Sequence, residues 1–192
     1  MTTLLLVRHG ETDWNRLGRW QGHSDTPLNA RGREQARELA PQLDGVDVVY
    51  SSDLARARET AEILAEELGA DVRLDARLRE RGFGAWEGLT AAEIEQDFAE
   101  AHGRWQAGEG AGADDAEAFD AFGRRVEACL EEIVRRHPDE TVLLIAHGGS
   151  IRVIHALASG LDYVRDHRSI PAVANCVVAR YAAREGKLVP ID

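Results

Sequence analysis

Apolar runs of strand length, spaced by stretches of helical character, constrain this chain more than any other feature. Three long ones lie at residues 3–7 (TLLLV), 46–50 (VDVVY) and 141–146 (TVLLIA), and a shorter one at 72–74. They are continuous rather than alternating, the pattern of strands covered on both faces. Between them, residues 31–43 follow Asn29 as a cap, and residues 53–68 stop at Gly69. Residues 116–136 end at His137-Pro138, and residues 150–158 close at Gly160. This alternation predicts an α/β fold, a three-layer, doubly wound, mostly parallel central sheet flanked by helices. Residues 175–181 and 187–191 read as a hairpin-like pair about Glu185-Gly186 at a sheet edge. Residues 108–115 (GEGAGADD) read as a flexible surface loop, so residues 1–192 are expected to form a single domain.

Composition narrows the partners. A net charge of −11, with 23 Lys and Arg against 34 Asp and Glu, disfavours nucleic acid and anionic membranes. An anionic substrate therefore needs a local basic pocket working against the global field. Cys129 and Cys176 form no CxxC pair or disulfide framework and are expected to be free thiols. The N-terminal apolar run is too short for a signal peptide, and no stretch approaches a membrane span, so a cytoplasmic protein is expected.

In open α/β sheets, ligands bind where loops leave the carboxyl ends of strands. Here the first strand runs into Arg8-His9-Gly10-Glu11-Thr12 and the last long one into His147-Gly148-Gly149-Ser150. The second runs into Ser51-Ser52-Asp53, where Ser52 or Asp53 would cap a helix carrying Arg56 and Arg58 in its first turns. Two histidines beside arginines make a poor metal site, because the arginines repel a cation. They suit a tetrahedral dianion, which arginine binds through planar paired donors. A neutral imidazole can attack phosphorus while a second histidine hydrogen-bonds the equatorial oxygens. No GxxxxGK[ST] loop is present, and the histidines at 23, 102, 137, 155 and 167 lack ligand spacing and read as surface or structural residues. Trp14, Trp20, Trp86 and Trp105 read as core or pocket wall, Trp20 lying nearest the first motif.

The block Leu6-Val7-Arg8-His9-Gly10-Glu11-Thr12 resembles the RHG motif of the histidine phosphatase superfamily, which includes the cofactor-dependent phosphoglycerate mutases. Asn15, residues 22–29 (GHSDTPLN) and Gly32 follow in the family's order. Residues 51–61 (SSDLARARETA) resemble its S-x-L-x-R-A-x-x-T helix start, and residues 78–88 (LRERGFGAWEG) its L-x-E-x-x-x-G-x-W-E-G block. Residues 146–152 (AHGGSIR) resemble its second-histidine motif. The resemblance implies a phosphoglycerate mutase-like fold and a phosphohistidine on His9, with Arg8, Arg56 and His147 completing the phosphate pocket. It makes Glu80 the proton donor to the leaving oxygen and later the base that activates water. Asn15, Thr12, Gly22 and Gly148 become substrate contacts, and Arg58 a surface residue outside the family's arginine position.

Mutases of the family tend to carry an insertion after the glutamate block, whereas the interval from Gly88 to Ala116 is short here. An open site admits water to a phosphohistidine. The expected activity is metal-independent hydrolysis of a small phosphate monoester, without a cofactor; a phosphoglycerate mutase-type transferase is the alternative. A catalytically silent phosphate sensor ranks lower, since all five pocket residues are present, and a metal-dependent hydrolase is the remaining rival. Gly112-Ala113-Asp114-Asp115 departs from the Gly-Glu-Ser segment common in the family and affects the substrate-facing contacts. Arg16, Arg19, Arg81 and Arg152 are candidates to meet a further anionic group. A small phosphorylated metabolite is the expected partner, and a homodimer is compatible with the pattern.

Overall fold

The structure is a computed structural model that describes residues 1–184 and 186–191. Its strands are β1 (Thr2–Arg8), β2 (Val48–Ser51), β3 (Val72–Leu74), β4 (Thr141–Ala146), β5 (Val178–Arg184) and β6 (Lys187–Pro190). They form one sheet in the order β3-β2-β4-β1-β5-β6. The first four pair in parallel, while β5 and β6 run antiparallel at one edge. The helices are α1 (Asp13–Arg16), α2 (Ala30–Leu39), α3 (Ala55–Leu68), α4 (Ala91–Asp97), α5 (Ala99–Gln106), α6 (Phe119–Arg136), α7 (Gly148–Ser159) and α8 (Tyr163–Asp166).

The continuous apolar runs follow from coverage on both faces. Leu4, Leu6, Val142 and Leu144 point to one side and pack with Phe122, Val126 and Ile133 of α6 and Ile151 and Ile154 of α7. Leu5, Val7, Leu143 and Ile145 point to the other and pack with Leu39 of α2 and Ala57, Ala61 and Leu64 of α3. Neither face of β1 or β4 needs polar residues, so the alternation of a half-exposed strand is absent. A third cluster, around Trp86, Ile94 and Ala113, joins α4, α5 and the segment after them.

Several boundaries differ from the sequence expectation. Asn29 does cap α2, accepting the Gly32 N–H at 2.9 Å, but the α-helix ends at Leu39 and Ala40–Gln42 continue as a 3-10 turn with Pro41 at its start. The proline has no N–H to extend the α-helical ladder. Neither Ser52 nor Asp53 caps α3. Its first N–H, on Ala55, is taken by Asp25 at 2.5 Å, while Asp53 pairs with Arg79 at 2.6 Å. α6 begins at Phe119, because Ala118 is extended with ψ at 142°. α7 begins at Gly148, directly after the strand. The edge hairpin is present with its first strand at 178–184, and Glu185 of the expected turn lies outside the described residues.

The expected loop at 108–115 is pinned at several points. Ala113 is buried beside Trp86, the Ala111 carbonyl accepts from Arg81 at 2.7 Å, and Asp115 accepts the Ala85 N–H at 2.9 Å. Small residues let this segment lie close against the aromatic cluster without regular structure. No helix among the described residues is long and apolar enough to cross a membrane.

Candidate active site

Strand register assembles the site. β1 and β4 pair with Arg8 opposite Ala146, and β2 and β4 with Ser51 opposite Ile145. The next residues along therefore leave three adjacent strands at the same edge, His9 opposite His147 and Ser52 one residue behind, opposite Ala146. The His9 N–H still donates to the Ala146 carbonyl at 3.0 Å, and the Ser52 N–H to the Ile145 carbonyl at 3.0 Å. The two imidazole rings stand 5.1 Å apart, tilted by 58°.

His9 is 3% exposed. Its Nδ1 donates to the Gly10 carbonyl at 2.7 Å, which fixes the proton there and leaves Nε2 as a bare lone pair. Burial, then the charges of Arg56 and Arg8, pushes its pKa well below the ordinary imidazole range, so the ring is neutral. Residues 173–176 strap the strand end from outside. The Val173 carbonyl accepts from Arg8 Nη1 at 2.7 Å, Asn175 Nδ2 donates to the His9 carbonyl at 2.7 Å, and the Cys176 N–H donates to the Arg8 carbonyl at 2.9 Å.

Arg56 lies in the first turn of α3 and is 1% exposed. It donates to the Ser24 carbonyl at 2.8 Å and the Gly22 carbonyl at 2.7 Å, and burial brings its pKa down to about 10. The Nε atoms of Arg8 and Arg56 are buried without a partner among the described residues, as is Nδ1 of His147. Three orphaned nitrogens around one buried imidazole match an anion-binding cradle, since buried polar groups are rarely left unpaired. His147 is fully buried, and its Nε2 lies 2.9 Å from Ser52 Oγ. Its pKa is also held well below the usual range, by burial and then by Arg56, His9 and Arg8.

Glu80 reaches the site from the segment before the Trp86 block. Its carboxylate accepts the Gly149 N–H at the start of α7 and the Arg81 N–H, each at 2.9 Å. The backbone leading to it is clamped. Arg125 donates to the carbonyls of Arg77, Arg79 and Glu80, each at 2.8 Å, and the Ser150 hydroxyl to those of Leu78 and Arg79. The glycine that this approach requires is Gly149, where a Cβ would fall 2.0 Å from the carboxylate. At Gly148 the nearest atoms are 3.9 Å away. Gly148 nevertheless lines the cavity of about 250 Å³ in front of the site, together with Arg8, Glu80 and Gly149.

The other expected contacts divide. Thr12 is buried and caps α1 in a reciprocal box with Asn15, whose Oδ1 accepts from Thr12 while its Nδ2 donates to no group among the described residues. Gly22 contributes its carbonyl to Arg56. It has φ of +52°, and Glu87 occupies the space of a side chain. Trp20, Arg81 and Arg152 line the cavity, whereas Arg16 pairs with Asp13, Arg19 with Glu93 and Arg58 with Glu62 at the surface.

Four of the remaining histidines are structural. His23 donates to the Glu80 carbonyl at 2.9 Å, His102 stacks on Trp105, His137 bridges Tyr50 and Glu140, and His155 bonds Tyr181. His167 departs from that reading and lines the cavity. Trp105, expected as core or pocket wall, lines the cavity, whereas sequence reasoning missed Phe119 and Tyr163 in its wall, Asn175 behind His9, and Glu87. Only Glu87 carried a signal, as part of the WEG block. No group of three or more His, Cys, Asp or Glu side chains among the described residues could hold a metal ion.

Comparison with known proteins gives the same grouping. The chain is 34% identical over 165 residues to phosphoserine phosphatase 1 of Hydrogenobacter thermophilus, covering 84% of this chain and 78% of that protein. It is 33% identical over 192 residues to a probable phosphoglycerate mutase, GpmB, of an Enterobacter species, covering 96% and 86%. A mycobacterial glucosyl-3-phosphoglycerate phosphatase, solved with VO3, superposes with a TM-score of 0.88 at 33% identity over 98% of this chain and 96% of that one. The sequence pattern of the histidine phosphatase superfamily (branch 1) matches residues 4–191. With the register of its two histidines and the collinear motifs, this chain belongs to the histidine phosphatase superfamily.

Proposed function

We propose that the protein hydrolyses a small phosphate monoester through a phosphohistidine on His9. One observation carries the reading: a buried, neutral imidazole with its proton fixed on Nδ1, flanked by Arg8 and Arg56. In the first step His9 Nε2 bonds to phosphorus, the bond from phosphorus to the ester oxygen breaks, and Glu80 gives that oxygen a proton. In the second, Glu80 takes a proton from water, whose oxygen displaces the imidazole and releases inorganic phosphate. Arg8, Arg56 and His147 hold the phosphoryl oxygens throughout, as preorganised donors that need no rearrangement when charge builds. Asn15, Thr12, Gly22 and Gly148 are assigned to further substrate contacts, a role supported for Gly148 by its place in the cavity lining. The phosphatase names among the relatives support hydrolysis, and the mutase name keeps transfer to a second hydroxyl as the alternative.

The test is phosphate release from a panel of monoesters in EDTA. We expect steady turnover by the wild type, acid-labile label on His9, and a fall in kcat of about 10³-fold or more in His9→Ala. Glu80→Gln should lose about 10²- to 10⁴-fold with alkyl esters and much less with p-nitrophenyl phosphate, whose leaving group needs no proton. Activity abolished by EDTA would sink the reading. Bisphosphate-stimulated interconversion of phosphoglycerates would replace hydrolysis with transfer.

A further inference from the structure

We propose that Thr60, Gln35 and Asn175 are positioning residues for the nucleophile: together they clamp the two peptide units after His9 so that the Gly10 carbonyl stays on Nδ1 and Nε2 stays bare. This deepens the hydrolytic reading and rests on it for the role of His9.

The peptide unit joining His9 to Gly10 is held at both ends. Asn175 Nδ2 donates to its carbonyl at 2.7 Å, and its N–H donates to Thr60 Oγ1 at 3.0 Å. The next unit, joining Gly10 to Glu11, presents its carbonyl to His9 Nδ1 at 2.7 Å and its N–H to Gln35 Oε1 at 2.9 Å. Three side chains from α2, α3 and the strap thus converge on two peptide units. None of the three lines the cavity in front of His9, so any effect they have on the reaction passes through the backbone.

The need for a clamp follows from Gly10 itself. Gly32, in the first turn of α2, lies so close that a Cβ on Gly10 would fall 2.5 Å from its carbonyl oxygen. Residue 10 is therefore restricted to glycine, the residue whose backbone turns most freely. The acceptor that fixes the nucleophile's proton sits on that pliable residue, and its orientation has to come from outside. If the carbonyl turned away, the buried ring would place its proton on whichever nitrogen found a partner, Nε2 included. Gln35 lies three residues after Gly32, on the same face of α2. The helix that forces the glycine also supplies a side chain that steadies it.

The chemistry of each contact runs one way. Thr60 is fully buried and gives its hydroxyl proton to the Arg56 carbonyl at 2.7 Å, which leaves its oxygen to accept the Gly10 N–H. A carbonyl only accepts, so Asn175 meets His9 with its NH2 group. An N–H only donates, so Gln35 meets Glu11 with its oxygen. Thr60 also links the nucleophile to the turn of α3 that carries Arg56.

The experiment reads the ¹⁵N imidazole resonances of His9. Wild type should show a protonated Nδ1 and a bare Nε2, widely separated. Thr60→Val keeps the shape without the hydroxyl; it should draw the two together as the second tautomer appears, with those of His147 in place. Its kcat with p-nitrophenyl phosphate should fall about 10- to 100-fold, the scale of a misplaced reacting group. Affinity for inorganic phosphate should change by less than about 3-fold, because Arg8, Arg56 and His147 are kept. Thr60→Ser should restore the spectrum and kcat. Gln35→Met, at a partly exposed position, should shift the spectrum in the same direction, and Gln35→Glu, which keeps an acceptor, should not. Asn175→Asp sets an acceptor against the His9 carbonyl and should act as Thr60→Val does. A wild type inert toward monoesters overturns hydrolysis alone, since the spectra still read the clamp. A wild-type His9 spectrum in both Thr60→Val and Gln35→Met, whatever their stability, overturns the clamp.

Discussion

At the scale of single residues, the proton on His147 decides whether the pocket is complete. The ring is neutral, so it carries one N–H, and its Nε2 faces Ser52 Oγ at 2.9 Å. Ser52 Oγ already accepts the Leu54 N–H at 3.3 Å, so its own hydroxyl proton is free to go to Nε2. His147 Nδ1 then carries the hydrogen and, having no partner among the described residues, is available to a phosphoryl oxygen. Ser52→Ala should lower kcat about 10-fold with KM nearly unchanged and shift the ¹⁵N imidazole resonances of His147 toward the other tautomer, while Ser52→Thr restores both. An unchanged spectrum would remove Ser52 from this role. His9, Arg8, Arg56, His147 and Glu80 were all legible in the sequence, four of them because strand ends and a helix start place them at one edge. The sequence offers Ser52 or Asp53 as a helix cap and is silent on Ser52 meeting His147, because one hydroxyl serves a backbone N–H or an imidazole equally well and only register tells which is near. Gly149 was passed over for Gly148, since the approach of Glu80 is a long-range contact without a local signature.

Elements bring these residues together through a few polar hubs, of which Glu87 is the clearest. Its carboxylate accepts the N–H groups of His23, Ser24 and Phe83 and the Ser24 hydroxyl, at 2.7–3.0 Å. It thereby ties the segment whose Gly22 and Ser24 carbonyls hold Arg56 to the Trp86 block. Glu87→Ala should cost about 2 kcal/mol in urea unfolding, as several charge-assisted bonds are exchanged for water. It should also weaken binding of inorganic phosphate by releasing Arg56, whereas Glu87→Gln, keeping one acceptor oxygen, loses less on both counts. Stability lost with phosphate affinity unchanged would separate the hub from the pocket. The long strands and helices could be read because burial on both faces writes continuous apolar runs and 14- or 18-residue helices repeat their pattern. α1 and α8, of four residues each, and the paired α4 and α5 are too short for a periodicity to emerge. That is why the interval from Gly88 to Ala116, read only as short, carries two helices that the sequence pattern does not announce.

Across the whole molecule, a site of this kind makes stability depend on pH with a definite sign. His9 and His147 are both held well below the ordinary histidine range, by burial first and by neighbouring arginines second. Unfolded, each titrates near about 6.5. Below that pH the unfolded chain binds protons that the folded chain refuses, so stability falls as pH falls. The slope reaches about 1.4 kcal/mol per pH unit for each histidine. His155 and His167, also lowered mainly by burial, add in the same direction. Asp53, Asp75 and Glu117 are lowered too, but their contribution is intact above the unfolded carboxyl range, near about 4, and is lost only below it. The interval from pH 6.5 to 5 therefore belongs to the histidines. Urea midpoints should fall steadily across it in the wild type and much less in the double variant His9→Gln, His147→Gln. Saturating inorganic phosphate should raise the wild-type midpoint at every pH, because a ligand held only by the folded pocket stabilises it, and should leave the double variant nearly unmoved. A double variant as acid-sensitive as the wild type would show that the buried pair does not set the acid limit of this fold.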